Sequence, residues 1–369
     1  MKKKILISIW SDPSNYINLL FLINFLISKK IEIVLICKEI EKKKDFFYFV
    51  KKTRLLKIIE IKKNHKIGLV NFFFNIFLFY VRFNPVKILA INFIALFFCS
   101  LIVKKKDKFI YYNFDFDLSK NLNFNNFLEK FSLNRVDYIF LPSKSRLFLY
   151  KKKFKRSNRI LSINNCFSKY FKTEKKNLLK KYRFLNQRKY FVRLGSFYKY
   201  HYLEELALST KYWDKNFLLV MAGKSYEGYF KKLKHFVKIN NLNRVILYEN
   251  VSYKQWFNLL DNAYGGFALY EPINVSHRLM GGTSQKLNNY IYSGIPSIIS
   301  NTKDTLIFNN KFDTSLLVKN SPKGIAQKVN LLINNKSLYK SKVKKNILAF
   351  KNEFNFEKQF YNIKKYFID

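Results

Sequence analysis

Short aliphatic runs alternate with longer segments of helical pattern along almost the whole chain, and this rhythm limits the fold more than any other feature. The first forty residues read as a strand (Ile5 to Ile9), a polar turn, a helix (Tyr16 to Ser28) and a second strand (Ile31 to Cys37). A strand apolar on both faces is buried on both faces, and successive parallel strands need a crossover segment between them. The alternation therefore predicts an α/β architecture, a parallel sheet covered by helices. It continues through Val86 to Ile91, Phe109 to Tyr112, Tyr138 to Leu141 and Ile160 to Ile163. From Ser168 to Arg188 the chain turns charged and weakly periodic, and a second series then opens with YFVRLGSF. That series runs through Phe217 to Ala222, Arg244 to Leu247, Gly266 to Tyr270, Pro296 to Ser300 and Leu316 to Val318. At 369 residues the chain exceeds what one core usually serves. The expected division is a first domain over 1–168, a linker over 169–188, a second domain over 189–345, and a helical segment over 346–369 that packs back on the first domain.

Charge is the next constraint. Lys and Arg number 69 against 24 Asp and Glu, a net charge of +45, which attracts polyanions such as nucleic acid or acidic lipid. A second origin fits equally well: Lys, Asn, Ile, Phe and Tyr abound while Gly and Pro are scarce, the mark of an AT-rich coding sequence wherever a surface tolerates lysine. The aromatic residues fall mostly on core positions of strands and helices rather than forming stacking platforms, so no nucleic-acid partner is expected. Cys37, Cys99 and Cys166 are widely spaced, as suits reduced thiols in a cytoplasmic protein. The start, MKKKILISIW, is charged like an export signal, but its apolar run stops at Ser11-Asp12-Pro13 without a small-residue cleavage site, so it reads as a strand. The apolar stretch from Ile67 to Val103 is cut by Arg82, Asn84, Pro85 and Lys87 into pieces shorter than the roughly 20 residues that cross a bilayer. The expectation is a cytoplasmic protein, peripheral at the inner face of the membrane if it meets one.

Eight of the ten glycines lie between Gly195 and Gly294. A composition that avoids glycine retains it where the backbone requires it, so the chemistry is expected on loops of the second domain. Tyr270 to Ser300, YEPINVSHRLMGGTSQKLNNYIYSGIPSIIS, is the most informative segment. A strand delivers Tyr270, a polar loop follows, Thr283 and Ser284 are good helix N-caps, a helix runs from Gln285 to Tyr292, and Gly294-Ile295-Pro296 ends it. Unpaired amides at such a helix start, with Lys286 one turn inside, suit a diphosphate; an ordinary capped helix with a surface lysine would give the same spacing.

TSQKLNNYIYSGIPSIIS resembles the signature of GT-B glycosyltransferases, especially glycosyltransferase family 4, in which a Ser/Pro-x-Lys-Leu helix ends in a small-Gly-x-Pro-hydrophobic stop. The resemblance implies two Rossmann-like domains with a cleft between them, and a helix whose amides hold the donor diphosphate. It also implies a donor-ribose glutamate five residues before the glycine, where this chain has Asn289, and an earlier glutamate at the position of Gly281. RLGSFYKYHYLEEL is similar to the opening strand of the donor domain: Gly195 matches, Ser196 replaces the usual arginine, and Lys199 is the nearest basic residue. LLVMAGKSYEGYFKKL and NRVILYENVSYKQWFNLLDNAYGGFALY resemble the later strands and base-binding loop, and RVDYIFLPSKSRLFLY with ILSINNCF resembles the end of the acceptor domain. Donor-binding residues implied are Gly195, Ser196, Lys199, Tyr270, Thr283, Ser284, Lys286 and Asn289.

Asp115-Phe116-Asp117 in FIYYNFDFDLSK has two readings. It is a metal-binding Asp-x-Asp of GT-A type, or the acidic residue of a Tyr-x-x-x-acidic motif near the GT-B cleft. The second is preferred because the donor signature lies in the other half of the chain, which makes Asp115 the catalytic candidate. Topology puts the first turn, with Asp12, Ser14 and Asn15, on the acceptor side. His65, His201, His235 and His277 show no metal-ligand spacing, and His201 and His277 read as surface or packing residues rather than phosphate ligands. The expected activity is a retaining hexosyl transfer from a nucleotide diphosphate sugar to a glycan or lipid-linked acceptor, in cell-surface polysaccharide synthesis, with no metal or cofactor. An inactive GT-B-like binding protein and a basic nucleic-acid binder are the alternatives.

Overall fold

The computed structural model describes residues 3–62, 67–114, 124–154, 160–173, 182, 184–185 and 188–368, without the side chains of 124–126. Two compact units result: Met1–Asn165 with Gln359–Asp369, and Cys166–Lys358.

The first unit is built on a parallel sheet of β1 (Lys4–Ile9), β2 (Glu32–Lys38), β3 (Leu56–Ile61), β4 (Lys87–Ile91), β5 (Lys108–Tyr112), β6 (Tyr138–Leu141) and β7 (Ile160–Ser162), in the order β3-β2-β1-β4-β5-β6-β7. Its central strands are the aliphatic runs of the sequence: Leu6, Ile7 and Ile9 of β1 pair with Val34, Leu35 and Cys37 of β2, and all are buried. β3 has no such signature. LKIIEI carries Lys57 and Glu60 because it is an edge strand, only partly covered along most of its length. A 3-10 turn (Pro13–Asn15) capped by Asp12 precedes the first helix, which begins at Ile17 rather than Tyr16. Residues 359–368 pack on this unit. The Lys87 Nζ donates to the Tyr366 carbonyl at 3.1 Å, and Phe360 and Phe367 are buried against Phe25 and Phe140.

The second unit repeats the plan with β8 (Lys189–Leu194), β9 (Phe217–Gly223), β10 (Val245–Glu249), β11 (Gly265–Ala268), β12 (Ser297–Ser300) and β13 (Ser315–Val318), in the order β10-β9-β8-β11-β12-β13. Every pairing is parallel. Phe191, Leu219, Met221, Phe267 and Ile298 from the sheet pack with Leu203, Leu206, Ile325 and Val329 from the covering helices. The helix Lys336–Asn352 packs on the helix Gln285–Ser293. Both sheets share a property that positions ligands: the chain fills outward from β1 or β8 to one edge, then returns to the other side of that strand. The crevice beyond the strand ends at this reversal, between β1 and β4 and between β8 and β11, is where open parallel sheets bind ligands.

Candidate functional site

At the second unit's reversal point β8 ends in Gly195 and β11 leads into Tyr270, and the helix Gln285–Ser293 begins over both. Ser284 caps that helix, its Oγ accepting from the Leu287 N–H at 3.3 Å. The amides of Gln285 and Lys286 in the first turn have no hydrogen-bond partner among the described residues, as helix geometry dictates for a helix start. The lysine does not stand out as a surface lysine would. It is buried, and its stem crosses directly over Gly195, where a Cβ would come within 2.5 Å of Lys286 Cε. Gly195 also has φ +132°, open only to glycine, so both its backbone and its missing side chain are dictated by this crossing.

The lysine ammonium donates to Tyr270 Oη at 3.1 Å, and Tyr270 Oη lies 2.7 Å from Ser284 Oγ. Since an ammonium only donates, the tyrosine oxygen accepts from the lysine, and either hydroxyl can donate in its contact with the serine. Beneath them lies a second cation. Arg193 of β8, 1 % exposed, donates Nη1 to the Gly195 carbonyl and Nη2 to His201 Nδ1, both at 2.8 Å. A guanidinium cannot accept, so Nδ1 accepts, and the imidazole is the neutral tautomer with its proton on Nε2. Its 3.1 Å approach to the Ser196 carbonyl is therefore not a hydrogen bond. The His201 ring stacks on His277, whose Nδ1 lies 2.9 Å from the Glu271 carbonyl.

Among the described residues no carboxylate pairs with Arg193 or Lys286. Burial, then the Arg193 charge, pushes the Lys286 ammonium well below the usual lysine range. Burial lowers Arg193 to about 10, and burial followed by the charges of Lys286 and Arg193 drives His201 far below an ordinary histidine. Two cations desolvated without a counter-ion are costly unless an anion completes the site. The arrangement can take an anion against Lys286 and the helix amides, with Arg193 stiffening the Gly195 loop from below.

The expected donor residues thus divide. Gly195, Ser196, Tyr270, Ser284 and Lys286 come together here. Thr283 is buried beside them with its Oγ1 donating to the Leu279 carbonyl at 2.6 Å. Lys199 is exposed, its Nζ 4.8 Å from the Tyr200 ring centre, and among the described residues no contact joins it to the cluster. Asn289 is buried between Gln285 and Trp256; with its amide oxygen toward Trp256 Nε1 (3.2 Å) and its nitrogen toward the Gln285 carbonyl (2.7 Å), both groups are satisfied. Gly281 admits no side chain, since a Cβ would meet the Asp304 carbonyl at 2.7 Å. Arg193 and His201 were absent from the sequence-based donor set, although their burial in a cation-rich chain is the signal that marks them. In the first unit, Asp12 accepts from the Ser14 N–H (2.9 Å) and the Glu41 N–H (3.2 Å); Ser14 is buried and Asn15 exposed. Asp115 lies outside the described residues. No group of His, Cys, Asp and Glu suited to a metal ion occurs among the described residues.

Two doubly wound parallel sheets, each reversing beside its central strand, give this chain the GT-B fold. Solved structures place that likeness over nearly the full length. HepE from Anabaena, in complex with UDP and glucose, aligns with TM-score 0.78 at 12 % identity, covering 98 % of each chain. Sucrose-phosphate synthase from Thermosynechococcus elongatus aligns with TM-score 0.76 at 12 % identity, over 99 % of this chain and 98 % of that one. The N-terminal domain of trehalose-6-phosphate phosphatase from Candida albicans aligns with TM-score 0.70 at 13 % identity, over 100 % and 97 %. No family model matches the sequence, and no curated protein matches it. Identities this low carry the fold, and the chemistry must be argued from the site.

Proposed function

We propose that this chain is a glycosyltransferase that takes a hexose from a nucleotide diphosphate sugar, with retention of configuration and without a metal ion. The observation that carries this reading is the pair of buried cations, Lys286 and Arg193, lying without a carboxylate at the sheet's reversal point under a helix start. As the glycosidic bond breaks, negative charge grows on the departing diphosphate. Lys286 and the amides of Gln285 and Lys286 would meet that charge from a fixed, dry position, which is where electrostatic catalysis is strongest. Arg193 acts through the Gly195 carbonyl as a positioning residue. Asp115 is the proposed catalytic acidic residue, and Asp12, Ser14 and Asn15 are proposed to border the acceptor. That HepE is described with UDP and glucose supports a nucleotide-sugar donor. The acceptor is a glycan or lipid-linked sugar of cell-surface polysaccharide, met at the cytoplasmic face of the membrane.

A binding protein without transfer activity is the second reading. It is favoured by the closed Gly281 position and by the engagement of Asn289 with Gln285 and Trp256, which leave the site without either family glutamate. Thermal-shift measurements against UDP, GDP and single-stranded DNA at two salt concentrations test the site: a nucleotide-specific shift is expected, and a salt-sensitive DNA shift alone would overturn the reading. Hydrolysis of a panel of nucleotide sugars then separates enzyme from binder.

A further inference from the structure

We infer that the outer face of the helix Gly68–Phe83 is a docking surface for an anionic lipid bilayer. The helix has two apolar stripes. Phe72, Ile76 and Tyr80 face inward and are buried. Val70, Phe74, Phe77 and Val81, spaced three or four residues apart as one helical face requires, are all about half exposed or more (48 to 62 %), with Ile67 continuing the stripe at the helix start. A helix that only packs on a sheet carries polar residues on its outer face, and four aligned large apolar side chains in water mark a contact surface.

The surroundings name the partner. At its C-terminal end the stripe opens into a groove of about 470 Å³ lined by Phe77, Tyr80, Val81, Leu101, Ile102 and Lys104 together with Asn84 and Asp107. Leu101 is itself 47 % exposed. Lys104 lines this groove, Lys105, Lys106 and Lys108 follow it closely in the chain and all four are exposed, Arg82 lies in the last turn of the helix, and Lys57 lies over the Phe79 ring at 4.9 Å. The helix contains no acidic residue. The Asp107 carboxylate accepts a hydrogen bond from Tyr80 Oη. An apolar stripe with aromatic residues, bordered by cations, is complementary to a headgroup layer of negative charge over hydrocarbon. Since no helix among the described residues is long and apolar enough to cross a membrane, the contact is peripheral. This deepens the peripheral placement proposed above, but vesicle binding requires no sugar transfer, so the two readings fail separately.

The test is flotation of the purified chain with vesicles of phosphatidylcholine alone or mixed with phosphatidylglycerol. Binding is expected to the anionic vesicles at low salt and to weaken as salt rises. Lys104→Ala, Lys105→Ala and Lys106→Ala together should lower partitioning on the order of a hundredfold, at about a tenfold loss or less per cation. Val70→Ser, Phe74→Ser and Phe77→Ser together should abolish it with the melting temperature unchanged. Because Cys37, Cys99 and Cys166 are buried, Phe74→Cys provides one accessible thiol for an environment-sensitive dye, and its emission should shift to the blue on anionic vesicles. No binding to anionic vesicles at low salt overturns the inference. So does a dye at position 74 that stays in water while the chain binds, or that shifts equally without vesicles as copies associate.

Discussion

Replacing Lys286 by methionine should move ligand binding and stability in opposite directions. The ammonium is buried beside Arg193 and, among the described residues, has no carboxylate partner and a single hydrogen bond, to Tyr270 Oη at 3.1 Å. A charge-assisted contact to phosphate contributes about 1.5–3 kcal/mol, so Lys286→Met should weaken UDP, or the diphosphate of whichever base is preferred, by roughly ten- to a hundredfold. The nucleoside alone should bind as before, since base contacts are untouched. Without ligand the same change removes a desolvated amine and fills its path over Gly195 with a side chain of similar length. Tyr270 keeps its hydrogen bond to Ser284. The gain should be on the order of 1 kcal/mol, about 2 °C in melting temperature for a unit of this size. Calorimetric titration with nucleotide and nucleoside, paired with unfolding of the free protein, measures both. Equal losses for UDP and uridine, or a lower melting temperature in the free variant, would refute the anion-site reasoning.

Three further outcomes are expected. Gly195→Ala puts a Cβ 2.5 Å from Lys286 Cε at φ +132°, so it should cost roughly 1–3 kcal/mol of strain and weaken nucleotide diphosphate binding as the lysine is displaced, read by melting and titration together. His201 binds its proton far less readily folded than unfolded, so the unfolded chain takes up the proton as pH falls below about 6.5, and stability declines by up to about 1.4 kcal/mol per pH unit. His201→Gln should flatten the stability curve between about pH 4.5 and 6.5, and an unchanged slope would remove His201 from the account. Sugar transfer or hydrolysis should persist in EDTA; complete loss restored by manganese or magnesium would move the chemistry to Asp115 and Asp117.

Much of the architecture was legible because buried parallel strands are nearly pure aliphatic runs, and LLVMAG or KILISI leaves little else to be. β3 escaped for the opposite reason: an edge strand is half solvated, and LKIIEI carries charge where a central strand cannot. At the site, Lys286 was visible through its spacing from Ser284 and Gly294. Arg193 was hidden inside YFVRL, where it resembles the charged end of a strand, and only the sheet shows that its guanidinium turns inward beneath Gly195. His201 read as a surface or packing residue, and it is 5 % exposed, held by Arg193 from eight residues away. Lys199, as near in sequence to the position of the expected arginine as Arg193 is, remains in solvent. Such pairings depend on which way a side chain leaves a turn, and linear spacing does not encode that.

Residues 359–368 give the chain an order of completion. Phe360 and Phe367 are buried in the first unit, and the Tyr366 carbonyl holds Lys87 on β4, yet the whole second unit intervenes between these residues and the sheet they cover. During synthesis at about 5–20 residues per second, the roughly 190 residues of the second unit emerge over some 10–40 seconds while the surface around Phe25, Lys87 and Phe140 stays uncovered. The earlier-made unit is therefore the later one to finish. In that interval the apolar surface around Phe25 and Phe140 and the Lys87 ammonium are exposed on a nascent chain, which makes residues 359–368 a folding clasp.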